Sequence, residues 1–473
     1  MLQQSQCGKF ITDNTNQLGQ DALVLLTPKN IRFLSQFLLN KQRYFIAISQ
    51  QIVSKIQQDC ADAKIYHEGQ EDEYCKDEDG ASIKVYFCDK HQEVNDFVKN
   101  YYNYDCKFIC VTGTNGKTSV VSWVRQFLST LGHNTIAVES TVCYFNNQRI
   151  ENIYNILTTP SICTMFQLIW EVSKHSKVEF CVFENSSHAL HQNRTQGIQI
   201  ASAGFTNLSL DHLDYHKTLQ EYFDVKKTLF TKDCNSQSVA VLNADVKEFE
   251  ELKSACMSNN VKVTSYGKQN ADFVISDIKQ DKNLGFSVEN QGVKYHFSLN
   301  CFGSFQAYNA VCAIGLIMAA GVSVKSIAKL QNTRLCTPLG RMQEVINSEG
   351  KGTNVFIDYA HTPDAIKTVL TDVRGIVGNK AKIITIFGCG GNRDSSKRAE
   401  MGEVTARLSN LAIITNDNPR NEDELSIVNE VAAGAKGYQY KIITDRKSAI
   451  DYGIAQKGSN DIVIIAGKGI ENY

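Results

Sequence analysis

No C-x-x-C pair occurs among the fifteen cysteines; the closest two are Cys106 and Cys110. An odd count without ligand spacing excludes a zinc cluster and a disulfide framework, and fits thiols kept reduced in a cytosol. Charge of one sign is lacking too, since 49 Lys+Arg against 50 Asp+Glu leave a formal net charge of −1. Nothing global would attract nucleic acid or an anionic membrane, so an anionic ligand must be gripped by local positive groups. Long apolar runs are missing. The longest, around Cys312 to Val324, contains two glycines and is too short to span a bilayer, so no membrane insertion is expected. The opening Met1 to Gln6 has no basic region followed by an apolar stretch, so no secretory leader is expected and a cytoplasmic location is. Proline is scarce, five in 473 residues, against a usual share of about 5%. That is a drift of composition, accompanied by no low-complexity segment and no fixed-period repeat.

What remains is an ordinary globular composition, 42% hydrophobic and 21% charged, long enough for several cores. Short apolar runs alternate with helix-like stretches throughout. Examples are Ala22–Leu26 and Tyr44–Ile48; then Phe108–Val111, Thr135–Val138, Phe180–Phe183, Ala203–Thr206 and Val239–Leu242; then Asn354–Ile357, Lys382–Phe387, Leu411–Thr415 and Asp461–Ala466. That alternation predicts α/β units with mostly parallel sheets covered by helices. Three units are expected in series, over 1–103, 104–335 and 336–473. The acidic stretches Glu71–Glu73 and Asp77–Gly80 read as solvated loop.

The most informative residues are Val111 to Val120, reading V-T-G-T-N-G-K-T-S-V. They join an apolar run to a helix-like one. Strand, glycine turn and helix start turn backbone N–H groups toward a phosphate. Gly113, Thr114, Asn115, Gly116, Lys117, Thr118 and Ser119 are therefore the expected ATP loop, with Lys117 as a point charge on the terminal phosphates and the Thr118 hydroxyl as a magnesium ligand. The spacing G-x-x-x-x-G-K-[ST] is not met, because Val111 stands where the first glycine belongs.

Further polar clusters follow predicted strands, where open α/β sheets bind ligands. Thr206 to His216 carries Asp211, His212, Asp214 and His216 and leads to Lys226 and Lys227. Glu184 ends an apolar run and precedes Ser186, His188, Gln192 and Arg194. In the last third, Gly388–Asp394 and Asp417-Asn418-Pro419-Arg420 both follow apolar runs. Arg420 can grip a carboxylate bidentately, a geometry lysine does not offer.

Taken together these segments resemble the Mur ligase family. T-G-T-N-G-K-T-S is its nucleotide loop, and N-L-S-L-D-H-L-D-Y-H is similar to its N-x-S-x-D-H-L-D-x-H. The resemblance implies a three-domain fold with a central P-loop ATPase domain and a Rossmann-like C-terminal domain. It makes Glu184, His212 and Lys226 metal-site residues with Thr118, Lys226 as a carbamate. Thr158, Thr159, Ser186, Gln192 and Arg194 would contact a UDP-muramoyl-peptide. Gly340–Gln343 resembles G-R-M-E, with Gln343 in place of Glu, so that Arg341 would reach the nucleotide; Asp358, in D-Y-A-H-T-P, and Asn309 would join it there. D-N-P-R marks the members that add meso-diaminopimelate, placing Arg393, Asp417, Asn418, Pro419, Arg420, Gly467 and Glu471 around that amino acid. Ile470 replaces a histidine, Thr12–Thr15 stands where the family has D-S-R, and the family continues beyond Glu471, so the C-terminal unit is expected to be cut short.

The implied chemistry is ATP-dependent amide ligation in peptidoglycan precursor synthesis. Phosphorylation of the D-glutamyl carboxylate of UDP-N-acetylmuramoyl-L-alanyl-D-glutamate gives an acyl phosphate, which the amine of meso-diaminopimelate attacks. ATP as substrate, Mg2+, a carbamylated Lys226, no nucleic acid partner and a monomer are expected. The alternatives are the same ligation with L-lysine, a folylpolyglutamate-type ligase, and a degenerate nucleotide-binding paralogue without activity.

Overall fold

The computed structural model describes residues 104–150, 157–331 and 335–469 without interruption, and within the first hundred the stretches 10–12, 22–26, 44–47, 50–59, 63–66 and 84–87 with residues 99 and 102. Asp13–Thr15, the acidic stretches around Glu71 and Asp77, Ile470 and Glu471 lie outside the described residues.

Among the described residues three separate sheets are present, within the α/β arrangement expected. The first, of five parallel strands, runs in the order Phe10–Thr12, Ala22–Leu26, Tyr44–Ala47, Lys84–Phe87, Lys64–Tyr66. The second has eleven strands. Its centre is parallel, in the order Lys262–Gly267, Val239–Asn243, Ile200–Phe205, Lys107–Thr112, Phe180–Glu184, Thr135–Glu139. The third has six strands, with Gly352–Ile357, Ile462–Ile465, Ile383–Phe387, Leu411–Ile414 and Tyr440–Ile442 parallel and Gln343–Ile346 antiparallel at one edge.

Burial on both faces explains why these strands read as continuous apolar runs. In Lys107–Thr112, Phe108 and Cys110 point into one hydrophobic layer and Ile109 and Val111 into the other. In the third sheet Ile383 and Phe387 face one layer, Ile384 and Ile386 the other. Two-sided burial is what a parallel sheet covered by helices requires. Helix Lys117–Thr130 is buried at every residue from Thr118 to Leu128, packed along helix Phe305–Ala319, with Trp123 Nε1 donating to Gln306 Oε1 (3.3 Å).

The second sheet is less parallel than expected. Phe273–Gln280, which joins the parallel centre, continues antiparallel into Leu284–Asn290 and Val293–Leu299, and Val142–Phe145 and Gln148–Arg149 extend the other edge. A local signal exists for one of these hairpins. Gln291-Gly292 both hold positive φ (51° and 76°), the backbone of a two-residue type I′ turn between alternating strands. Among the described residues no helix is long and apolar enough to cross a membrane.

Candidate active site

The parallel strands of the second and third sheets end on a common cleft of about 1480 Å³. From the second sheet come the loop after Thr112, Glu184 and the segment from Thr206. From the third come Asp358, Gly388, Gly390, Arg393, Asp417, Asn418, Arg420 and Gly467. The crevice at strand carboxyl ends, expected from the sequence of each sheet alone, is thus shared by two sheets facing each other.

The nucleotide-type loop is shaped by close backbone approach. Gly113 has φ +143°, and a Cβ there would stand 1.9 Å from Thr206 Oγ1; one on Gly116, φ +87°, would stand 2.5 Å from Asn309 Oδ1. The loop is docked on the neighbouring strand end at several points. Thr114 N–H donates to Asn207 O (2.9 Å), Asn115 N–H to Asn207 Oδ1 (2.9 Å), and the Thr206 hydroxyl to Asn115 O (2.6 Å). Ser209 N–H donates to Thr114 Oγ1 (3.0 Å). Helix Lys117–Thr130 then begins without a side-chain cap, its N-terminal amides left for another acceptor.

Two lysines meet at this loop. Lys117 Nζ donates to the carbonyls of Gly113 (3.0 Å) and Thr114 (2.7 Å), and Lys226 Nζ, on helix Leu219–Thr228, also donates to Gly113 O (2.8 Å). Loss of hydration pushes the Lys117 ammonium down, partly offset by Glu184 and Asp211. Lys226 is 1% exposed, and burial first, then the Lys117 charge, holds its pKa well below the ordinary lysine value. Its Nζ lies 4.3 Å from the centre of the Tyr222 ring.

Beside them the Thr118 hydroxyl donates to Glu184 Oε1 (2.8 Å) and accepts from Arg341 (2.7 Å), whose guanidinium lies 4.4 Å from the centre of the Tyr359 ring. Burial raises the Glu184 carboxyl against the opposing pull of Lys117 and Arg341. Arg341 is carried by a strained turn. Met342 has φ +51°, and its N–H donates to Asp358 Oδ2 (2.7 Å), while Asp358 Oδ1 accepts from Ala360 N–H (2.7 Å). Both Asp358 oxygens therefore work within the fold, fixing the turn that aims Arg341. Gln343 Oε1 accepts the Gly340 N–H (2.9 Å) in the same turn. Asn309, whose Nδ2 donates to Gln306 Oε1 (3.1 Å), sits directly against Gly116.

His212 has φ +55°, a left-handed conformation uncommon for a residue with a Cβ. Loss of hydration depresses its imidazole below the usual histidine range, against the attraction of Asp211. Asp211, expected only as one member of the polar cluster after Thr206, is the hub between the two sheets. Its carboxylate lies 3.5 Å from His212 Nε2, 3.9 Å from His361 Nε2 and 3.6 Å from Lys397 Nζ. Burial favours its protonation, but these three groups and the His212 N–H together hold it well below the ordinary carboxylate range.

Of the residues expected on the UDP-muramoyl-peptide, Thr159, Ser186, Gln192 and Arg194 form one network. Thr159 Oγ1 donates to Glu184 O (2.8 Å) and accepts from Ser186 N–H (2.9 Å); Ser186 caps the short helix Ser187–His191. Arg194 donates to Gln192 Oε1 (3.0 and 2.7 Å) and to Thr159 O (3.0 Å). Thr158, Ser186 and Arg194 line the cleft, whereas Thr159 is fully buried beneath them.

Across the cleft, two loops of the third sheet are zipped together. Gly391 N–H donates to Asn418 O (2.8 Å), and a Cβ on Gly391 would stand 1.9 Å from Pro419 O. Behind them Arg398, 1% exposed, donates to both oxygens of Glu422 (3.0 and 2.8 Å) and to Glu430 (3.0 Å). Arg393 is exposed toward the cleft. Arg420, φ +53°, is exposed as well and rests its guanidinium on Gly391 O (2.8 Å). Asp417 Oδ1 accepts from Asn418 N–H (2.6 Å) and its Oδ2 lies 3.9 Å from Arg446; Lys468 Nζ donates to Asn418 Oδ1 (2.9 Å). Gly467 has φ +108°, and a Cβ there would stand 3.0 Å from Asp417 Oδ2. Sequence reasoning named Asp211 and His361 only as members of longer polar stretches and passed over Lys397, Arg398 and Glu422. Lys397 and Arg398 follow Gly388–Asp394 after two serines, and that proximity was the available signal.

The profile of the Mur ligase middle domain matches residues 111–317, and that of the Mur ligase glutamate ligase domain matches 340–469. The UDP-N-acetylmuramoyl-L-alanyl-D-glutamate–2,6-diaminopimelate ligase of Rickettsia montanensis is 36% identical over 406 residues, covering 82% of this chain and 80% of its own length. A ligase of the same name from Agrobacterium fabrum is 36% identical over 364 residues, 77% of this chain and 72% of its own. Among solved structures, a ligase of that name superposes with a TM-score of 0.61 at 26% identity, over 98% of this chain and 90% of its own. The MurF ligase from Thermotoga maritima in complex with ADP gives 0.67 at 14% identity, over 98% and 95%, a likeness of fold. Matched over most of its length by the family's two domains and by relatives of this identity, the chain belongs to the Mur ligase family.

Proposed function

We propose that this protein is an ATP-dependent ligase joining meso-diaminopimelate to the D-glutamyl carboxylate of UDP-N-acetylmuramoyl-L-alanyl-D-glutamate. One observation carries the reading: two lysines converge on the Gly113 carbonyl at an uncapped helix N-terminus, and a loop bearing Arg420 faces them across the same cleft. The first arrangement suits an anionic phosphate chain and the second a zwitterionic amino acid.

The γ-phosphoryl group of ATP passes to a carboxylate oxygen, giving an acyl phosphate and ADP. The amine nitrogen attacks the acyl carbon, phosphate leaves with the C–O bonding pair, and the nitrogen loses a proton. Lys117 and the open amides of helix Lys117–Thr130 hold the transferring phosphate, and Arg341 reaches the same region from the linking turn. Groups from both sheets are needed to complete the site, so their approach would exclude water that hydrolyses the acyl phosphate.

The donor set fits magnesium. Thr118 and Glu184 offer hard oxygens within 2.8 Å of each other, and phosphate oxygens would supply others, as is usual for this ion. Among the described residues no group of three or more His, Cys, Asp or Glu is gathered for a metal. Bound there, Mg2+ would neutralise charge developing on the phosphates. His212 and a carbamylated Lys226 would hold a second ion; carbamylation requires the neutral amine that burial and Lys117 favour.

The test is phosphate release by the full chain with ATP, the UDP-muramoyl-dipeptide and a panel of amino acids. Release is expected only when all three substrates are present, with diaminopimelate preferred. Turnover with a folate substrate, or none with any amino acid, would overturn the reading.

A further inference from the structure

Helix Phe305–Ala319 begins at Ser304, which is itself helical and provides no side-chain cap for its own first turn. Its partner comes from the opposite sheet's layer. Asp372, on helix Pro363–Val377, accepts the Ser304 amide at Oδ2 (2.5 Å) and the Ser304 hydroxyl at Oδ1. A carboxylate at this end satisfies an otherwise unpaired donor and opposes the positive end of the helix dipole. The approach is tight: a Cβ on Gly303, φ +107°, would stand 2.6 Å from the Phe305 ring and 3.3 Å from Asp372 Oδ2. Apolar contact continues it, since Phe302 lies 4.6 Å from Phe356, ring to ring, and Phe302 and Phe305 both pack on the core of the third sheet.

The two helices joined here each lead to the cleft. Helix Phe305–Ala319 carries Asn309 against Gly116 and Gln306 against Trp123, behind the nucleotide-type loop. Helix Pro363–Val377 follows directly on Asp358, which anchors the Arg341 turn, and His361, which faces Asp211. We propose that Asp372 is a positioning residue: by capping a helix of the central unit from the C-terminal unit, it sets the register in which Arg393 and Arg420 face the Gly113 loop. This rests on the function proposed above for the identity of the amino acid, and on geometry alone for the placement of the two units.

Full-length Asp372→Ala, Ser304→Ala and the double variant test it by kinetics, ADP-induced thermal shift and small-angle X-ray scattering. Asp372→Ala is expected to lower kcat/KM for diaminopimelate about tenfold, the scale of a charged hydrogen bond, with a larger radius of gyration and an unchanged shift by ADP. The double variant should be no worse than Asp372→Ala, because both changes break one contact. Additive losses, or wild-type kinetics with an unchanged radius of gyration in Asp372→Ala, would overturn the proposal. Should Asp372→Ala fail to fold, Asp372→Asn, which keeps one acceptor oxygen, carries the same readouts and an intermediate effect is expected. If no amino acid supports turnover in the unmutated chain, the functional reading fails, while scattering and the ADP shift still decide on Asp372.

Discussion

The two walls of the cleft are built differently. On the central wall the loop from Gly113 to Gly116 is held by main-chain and buried side-chain bonds to Thr206, Asn207 and Ser209, and a Cβ on either glycine would press against a neighbouring side chain. On the C-terminal wall the backbones of the two loops are also tied together, but Arg393 and Arg420 are exposed, and Arg420 rests on a carbonyl of its own wall. One wall is preorganised down to its functional atoms. The other is preorganised only to the base of its side chains, leaving guanidinium groups to be redirected by a ligand. Preorganisation suits a phosphate chain common to a whole family, whereas redirectable arginines suit the choice of one amino acid.

The largest effect should come from the preorganised wall. Lys117→Ala removes a cation from an uncapped helix start without touching the core, so ligation should fall by about 10³-fold or more with the melting temperature little changed. Retention of more than about a tenth of wild-type phosphate release would show that this wall does not hold the reacting phosphate. Lys226→Ala should lose about 10²-fold, and short carboxylates added to the assay should restore part of it, replacing a lost metal ligand. Full activity without any additive would remove Lys226 from the mechanism.

Arg420→Ala sharpens the comparison from the other side. The unmutated protein should prefer diaminopimelate over L-lysine by about 10⁴ in kcat/KM once closure of the cleft buries Arg420 against the second carboxylate, because lysine then leaves a desolvated guanidinium without its partner. The substitution should cost diaminopimelate about 10² while ADP affinity stays as it was. Equal rates with both amino acids in the unmutated chain would mean that D-N-P-R has been over-read. The smallest effect is expected for Gly113→Ala, where a methyl meets Thr206 Oγ1 and the backbone is forced to φ +143°. Strain of about 1–3 kcal/mol should weaken ADP binding roughly tenfold or more, measured by calorimetry. Unchanged affinity would mean that the loop is not held as tightly as its contacts indicate.

Much of the fold was legible because parallel strands buried on both faces must be continuously apolar, as Phe108 to Val111 and Ile383 to Phe387 are. The antiparallel edge from Leu284 to Leu299 was not, since its alternation depends on one exposed face and its turn on two residues, Gln291-Gly292. In the site, the loop from Gly113 to Ser119 was visible as a glycine turn with Lys117 and Thr118 between an apolar run and a helix-like one. Asp211 was not visible as a hub, because its partners His361 and Lys397 come from another sheet.

The sequence by itself determined the chemistry that is local in the chain: a glycine turn between strand and helix, a lysine at the helix start, polar residues just past apolar runs, and the words that mark the family. Each depends on neighbours a few residues away, where backbone geometry is dictated by residue type. Tertiary structure alone decided how those pieces meet. It brought Lys226 onto the same carbonyl as Lys117, tied Arg341 to Thr118, set Asp211 between two sheets and placed Asp372 on a distant helix start. Those contacts join residues from 68 to 223 positions apart. Burial, which drives the Lys226 amine toward its neutral form, exists only once the sheets and helices have closed around it.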